Sequence, residues 1–368
     1  MIPFVDLKTQ YQAMKSDIDQ AIQKVLDHGG FINGPEVAQL EQELVEFTGA
    51  KHALACSSGT DALLIPMMAA GIQPGDEVIT TAFSFIATVE MIVLLGATPV
   101  YVDIDPETFN LDVEHVKAAI TDKTKAIVPV SLYGQMPDMD EINTLAKQHG
   151  LIVFEDAAQS FGATYKGKRS CAVSDFGATS FFPAKPLGAY GDGGAIFTNS
   201  DEMAVAMKEV REHGSESRYH HTRLGINGRL DTIQCAILSV KLKRYQWEIE
   251  QRQRVATAYN QAFQEIINDE VKIPVVRDDR DSVWAQYTLR VPKRDDFRAK
   301  MQEAGVPTAV HYPCPMPDQP FYKGIGRVHS VEEAQKAANQ VVSLPMFPDM
   351  NEDQQATVIS AVLSYFKK

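Results

Sequence analysis

Apolar side chains over residues 11–27 recur every three or four positions, the spacing that places them on one face of a helix. Gly29-Gly30 stops that pattern, and residues 36–48 repeat it. The pattern then changes. Short, nearly continuous apolar runs at Glu77–Thr81, Val100–Ile104, Ala126–Val130, Leu151–Glu155, Ala178–Phe182 and Ala195–Thr198 predict strands. Helical spacing at 60–70, 85–95, 112–120 and 138–148 separates many of them. Strands apolar on both faces, alternating with helices, predict an α/β architecture: a mostly parallel sheet covered by helices on both sides. Ligands of such sheets bind beyond the carboxyl ends of the strands.

A long helical stretch over 230–265 leads into a segment of different character. Strands at Gln286–Val291 and Val306–Ala309, with helices around 296–303, 331–340 and 351–366, predict a smaller α+β unit. The expected division is a large domain over 1–250 and a small C-terminal domain over 251–368. The most apolar stretch, 91–102, is too short to span a bilayer and is broken by Gly96, Thr98 and Pro99. The opening MIPFVDLKTQ has neither the basic start nor the apolar core of a signal peptide, so the cytoplasm is the expected compartment. Cys56, Cys171, Cys235 and Cys314 lie far apart with no metal-ligand spacing, so reduced thiols and no metal are expected.

The chain carries 35 Lys and Arg against 48 Asp and Glu, a formal charge of −13. That balance argues against a nucleic-acid binder, which needs a basic face for phosphates. A small anionic ligand needs only a local basic cluster. Residues 208–229 are the candidate: Lys208, Arg211, Arg218, Arg223 and Arg229 stand against Glu209, Glu212 and Glu216, with His213, His220 and His221 beside them.

Three motifs bear chemistry. Ser57-Ser58-Gly59-Thr60-Asp61 opens a predicted helix, and free amides at a helix start suit a phosphate. In Leu151–Asp156 a run of apolar residues ends in two carboxylates, which puts an acid at the ligand end of a strand. Lys185 sits between Pro183 and Pro186 in a stiff turn after a strand, where lost solvation lowers a lysine pKa and makes a better nucleophile toward an aldehyde. A phosphate turn, then an aromatic (Phe85), then a strand-end Asp, then a Lys is the order of groups that pyridoxal phosphate requires. A nicotinamide-dependent dehydrogenase is disfavoured, because Gly191-Asp192-Gly193-Gly194 precedes a strand and no GxGxxG follows the first strand.

The segments SSGTDAL, PGDEVITTAFSFIAT, EDAAQSFGA, SFFPAKPLGAYGDGGAI and GINGRLD resemble the DegT/DnrJ/EryC1/StrS sugar aminotransferases, and the likeness runs over essentially the whole chain. The resemblance implies an aspartate-aminotransferase type I fold and a pyridoxal phosphate cofactor. It implies that Lys185 is the Schiff-base lysine and proton shuttle, that Asp156 pairs with the ring nitrogen and that Gln159 bonds the ring hydroxyl. Phe85 and Ala158 would cover the two ring faces. Gly59, Thr60 and Ser180 would bind the phosphate, and Asn227 would reach the phosphate of a neighbouring subunit, making a homodimer with shared sites. Lysine at 185, rather than the histidine of dehydratase relatives, implies transamination.

RYHHTRLGINGRLD, SFGATYKGKRSC and AVHYPCP further resemble family members that aminate C3 of a UDP-linked 2-acetamido-3-keto-glucuronic acid. That resemblance implies glutamate as donor, a role in bacterial surface polysaccharide (O-antigen) synthesis, and sugar or nucleotide contacts from Gly29, Phe31, Arg229, His311 and Tyr312. Relatives often carry Tyr at 31 and 85 and Ser at 184, where this chain has Phe31, Phe85 and Ala184; a phenyl ring keeps the stacking but lacks the hydroxyl. Two alternatives remain: another nucleotide-linked keto sugar such as a 4-keto-6-deoxyhexose, or a sugar-nucleotide-binding regulatory protein without chemistry.

Overall fold

The computed structural model describes residues 2–367. Helices α1 (Leu7–His28) and α2 (Pro35–Thr48) lead into β1 (His52–Cys56), α3 (Gly59–Ala69), β2 (Glu77–Thr81), α4 (Ala87–Leu94), β3 (Thr98–Val102), α5 (Val113–Ala119) and β4 (Thr124–Val128). Next come α6 (Met139–His149), β5 (Ile152–Asp156), the hairpin β6 (Thr164–Tyr165) and β7 (Lys168–Arg169), β8 (Phe176–Ser180), β9 (Gly194–Thr198) and α7 (Asp201–Arg211). A second hairpin, β10 (Ser215–Ser217) and β11 (His220–His221), precedes the long α8 (Thr232–Phe263). The remainder holds β12 (Tyr287–Arg290), α9 (Arg294–Glu303), β13 (Arg327–Val328), α10 (Glu332–Gln340), β14 (Val341–Leu344) and α11 (Glu352–Phe366).

Local chemistry sets the ends of the first helix. The Asp6 carboxylate accepts from the amides of Lys8 and Thr9, and Gly29 closes it at φ 67°, the left-handed conformation that glycine takes at no steric cost. The main sheet has the order β1-β9-β8-β5-β4-β2-β3-β13. From β8 to β13 every pair is parallel, and β9 is antiparallel to both β8 and β1. This is the mostly parallel mixed sheet of the expected α/β class. Alternation along each strand feeds two cores. Val78, Val128 and Phe154 pack with α3, α4 and α7 on one face, while Ile79, Ile127 and Val153 pack with α5 and α6 on the other.

Helix α8, about 48 Å long at 1.5 Å per residue, starts against the sheet and ends in a separate core. Its residues Val255, Tyr259 and Phe263 pack there with Trp284, Tyr287, Phe297, Phe347, Val358 and Val362. Two links bind this region to the main sheet: β13 pairs with β3, and Ala334 and Ala337 of α10 pack with Phe83 and Tyr101.

The structure departs from the sequence reading in three places. Residues 306–309 do not form a strand; Ala309 alone exchanges backbone bonds with Ser343, because Pro307 has no N–H to give a ladder. Strands β1 and β14, which the apolar pattern does not single out, are present. In the basic segment 208–229, three of the five Lys and Arg side chains are ion-paired, while Lys208 and Arg218 have no ion pair among the described residues. Arg211 pairs with Glu41 at 2.6 Å, Arg223 with Glu209 at 2.5 Å and Arg229 with Glu212 at 3.0 Å.

Candidate active site

The carboxyl ends of β5 and β8 and the start of α3 converge on one crevice. Ser58 caps α3, its Oγ accepting from the Asp61 amide at 3.0 Å. Helix geometry leaves the amides of Gly59 and Thr60 without an intrahelical acceptor, at the positive end of the helix dipole. Ser180, the last residue of β8, lies directly against them: a Cβ on Gly59 would stand 2.5 Å from the Ser180 Cβ.

Asp156 ends β5 with 6% of its surface exposed. The Thr88 hydroxyl donates to its Oδ2 at 2.7 Å and the Ala158 amide to its Oδ1 at 3.1 Å. Burial pushes its pKa up, opposed by those two bonds and by the charge of Lys185. Glu155, one residue earlier and on the opposite face, accepts from Ser131, Ser170 and the Cys171 amide at 2.7–2.9 Å.

Lys185 rides on a tight turn. Its amide bonds the Phe182 carbonyl at 2.8 Å, and Lys241, buried in α8, donates to the Gly188 carbonyl. Burial lowers the Lys185 pKa and the Asp156 carboxylate pushes back. No hydrogen bond or ion pair engages its Nζ among the described residues. Gln159 accepts from the Tyr133 amide through Oε1 at 2.7 Å and donates from Nε2 to the Tyr312 hydroxyl at 3.0 Å. His311 Nδ1 lies 2.9 Å from Ser343 Oγ, and burial with the nearby Lys185 charge depresses its pKa to about 4. Phe85, 53% exposed, leans over the Tyr312 ring at 6.1 Å between centroids, and Ala158 is half-buried.

The remaining predicted residues gather elsewhere. Gly29 ends α1, and the Phe31 carbonyl accepts from the Thr232 amide at 3.1 Å, docking that loop on the start of α8. Asn33 bonds Glu212 at 3.3 Å, and Glu212 holds Arg229. Asn227 is exposed, next to Gly228, whose carbonyl accepts from the Ser57 amide at 2.9 Å. Within one chain, no hydrogen bond or ion pair joins Phe31 or Arg229 to Lys185, Asp156 or Gln159 among the described residues.

A lysine with a lowered pKa, a buried carboxyl group and a helix start with free amides form a constellation that many folds can host, so kinship decides between them. The family model of the DegT/DnrJ/EryC1/StrS aminotransferases matches residues 12–363. The chain belongs to that family. The aminotransferase is 53% identical over 348 residues, 95% of this chain and 96% of the relative, to "UDP-2-acetamido-2-deoxy-3-oxo-D-glucuronate aminotransferase" of Pseudomonas aeruginosa. It is 47% identical over 367 residues, 100% and 99% of the two chains, to "Pleiotropic regulatory protein" of Geobacillus stearothermophilus. Among solved structures it resembles ntda from Bacillus subtilis with bound cofactor PMP, at a TM-score of 0.90 and 32% identity, over 99% of this chain and 83% of that one. It is a nucleotide-sugar aminotransferase, and pyridoxal phosphate is its cofactor.

The residues of the aminotransferase fit that group. Glycine at 59 lets the start of α3 lie directly against Ser180, which gathers the helix-start amides and the Ser180 hydroxyl as donors for one phosphate. Asp156 is a carboxyl group already desolvated, and Lys185 Nζ is unengaged among the described residues. Sequence reasoning missed Thr88, Tyr133 and Lys241, which hold Asp156, Gln159 and the Lys185 turn from behind. Thr88 follows Phe85 by three residues, one helical turn, which is the one local signal available.

Proposed function

We propose that this aminotransferase moves an amino group from glutamate onto C3 of a UDP-linked 2-acetamido-3-keto-glucuronic acid. The observation that carries the reading is the 53% identity with the Pseudomonas aeruginosa relative of that printed activity over 95% of the chain. The product is an amino sugar for a bacterial surface polysaccharide such as O-antigen. The cytoplasm is the proposed compartment, in keeping with four unpaired cysteines.

Bound pyridoxal phosphate supplies an aldehyde and an electron sink. In this reading the amides of Gly59 and Thr60 and the Ser180 hydroxyl hold its phosphate. Asp156, fixed by Thr88 and Ala158, faces the ring nitrogen as an anion, and Gln159 donates to the ring hydroxyl. Phe85 and Ala158 cover the two ring faces and keep water away. Lys185 Nζ is the nucleophile and then holds and moves the proton; burial lowers its pKa, which favours the free amine. His311 and Tyr312 contact the sugar, and Arg229 grips its carboxylate with a planar fork once Glu212 yields.

A second copy completes the site, with Asn227, and Gly29, Phe31 and Arg229 beside it, serving the partner's crevice. Exposed apolar side chains in the same region support a covered face: Phe31 and Ile32 at 47% and 53%, Tyr219 and Leu224 at 83% and 81%. The chain divides into units of 1–250 and 251–368, joined along α8.

Turnover of the purified enzyme with defined keto sugars and amino donors tests the substrate. Amination of the 3-keto uronic acid with glutamate is expected. Activity confined to a 4-keto-6-deoxyhexose defeats the proposed substrate, and no visible absorbance with added cofactor defeats the catalytic reading in favour of a regulatory one.

A further inference from the structure

Tyr133 has φ 57° and ψ 3°, a left-handed conformation that bulky side chains rarely take. It is 8% exposed, in the turn between β4 and α6. The conformation aims two of its groups in different directions. The amide donates to Gln159 Oε1 at 2.7 Å, and the hydroxyl donates to the His311 carbonyl. With Oε1 occupied, the Gln159 amide has only its NH2 to offer: one N–H reaches Tyr312 at 3.0 Å and the other is left to donate.

The segment that the hydroxyl meets is held from the sheet. His311 Nδ1 lies 2.9 Å from Ser343 Oγ, and Ser343 Oγ lies 2.9 Å from Thr288 Oγ1. Strands β12 and β14 carry Thr288 and Ser343, so this chain of bonds is anchored on paired backbone. The turn is pinned on both sides of Tyr133. The Ser131 amide bonds the Asp156 carbonyl at 2.9 Å, and Ser131 Oγ donates to Glu155 at 2.9 Å. Gly134, at φ 115°, lies so close to the chain opposite that a Cβ would stand 2.7 Å from the Trp284 nitrogen.

We propose that Tyr133 is a positioning residue that couples the two sides of the active site. Its amide fixes Gln159 as a hydrogen-bond donor toward the cofactor ring, and its hydroxyl fixes the His311–Tyr312 segment on the sugar side. The inference rests on the roles given to Gln159, His311 and Tyr312 in the proposed function. A chain of bonds anchored on the sheet, from Thr288 through Ser343 to His311, then holds the sugar side from behind.

Tyr133→Phe in the cofactor-loaded enzyme removes the hydroxyl and keeps the amide. The KM for whichever keto sugar the wild type turns over should rise threefold to tenfold, about the worth of one hydrogen bond. The glutamate KM and the wavelength of the visible cofactor band should stay within twofold and unchanged, respectively. Thr288→Val loosens the Thr288–Ser343–His311 chain from the sheet side and should give the same selective rise. Gln159→Glu keeps the acceptor for the Tyr133 amide but cannot donate, and should shift the pH midpoint of the visible band upward. An unchanged sugar KM in Tyr133→Phe, or in Thr288→Val if the first variant does not fold, overturns the proposal, even where melting temperature falls. An unshifted midpoint in Gln159→Glu overturns its cofactor half. A wild type with no visible band is a different result: the functional reading itself has then failed.

Discussion

Replacing Gly59 by alanine puts one methyl group into the closest contact of the phosphate seat. Its Cβ would stand 2.5 Å from the Ser180 Cβ, 2.9 Å from its Oγ and 3.1 Å from its Cα. Carbon atoms pack comfortably at about 3.5–4.0 Å, so α3 and β8 must part by about 1 Å. No rotamer change relieves the contact, because two of the three atoms are the Cα and Cβ of a residue on β8, which is paired with β5 and β9 on its two sides. Overpacking of this kind costs about 1–3 kcal/mol, equivalent to about 5- to 150-fold in an equilibrium constant. Part of that cost falls on folding and part on the cofactor, whose seat opens. Titration of the apoprotein with pyridoxal phosphate, followed by visible absorbance, reads the second part, and thermal melting reads the first. A weaker cofactor Kd is expected; adding Ser180→Gly to Gly59→Ala should recover part of the melting temperature, since it removes the clashing Cβ and Oγ, but not the Kd, since it also removes a phosphate donor. Wild-type cofactor affinity together with a wild-type melting temperature in Gly59→Ala would refute the contact argument.

Asp156→Asn keeps the shape that Thr88 and Ala158 support but removes the charge facing the crevice. Turnover should drop by about 10²–10³-fold, the loss typical of one preorganised electrostatic group, and a kcat within threefold of wild type would remove Asp156 from the mechanism. His311 bears on acid stability. Its pKa falls from 6.5 to about 4 on folding, so between those values the unfolded chain binds more protons than the folded one. Its contribution is therefore complete above pH 6.5 and is lost as pH falls toward 4, by up to about 3 kcal/mol. Urea midpoints of wild type and His311→Gln between pH 7 and 4.5 check this: the wild type should lose more stability than the variant, and parallel curves would contradict the assignment.

Much of the site was legible in the sequence because it is built from local motifs. Gly59, Asp156 and Lys185 each sit at a strand or helix boundary that the apolar pattern marks, and the order of the three along the chain points to the cofactor. One charge contact of the segment 208–229 was hidden for a tertiary reason. Glu209 and Glu212, already counted against Arg223 and Arg229, lie beside them in sequence, but Arg211 pairs with Glu41, 170 residues away. Thr88, Tyr133 and Lys241 were missed for the same kind of reason. Thr88 meets Asp156 across 68 residues, and Tyr133 meets His311 across 178.

The sequence by itself determined the period of each element, the glycines that let α3 approach β8, and the family through its motifs. Those features depend on steric rules and spacing within a few residues. Tertiary structure alone decided the protonation setting of Lys185, Asp156 and His311, because desolvation depends on what the rest of the chain packs around a group. It also decided that Gln159 is a donor, since a backbone amide 26 residues away takes its oxygen. It decided, finally, that the Phe31 loop docks on the start of α8, a meeting of segments remote in sequence that no local pattern encodes.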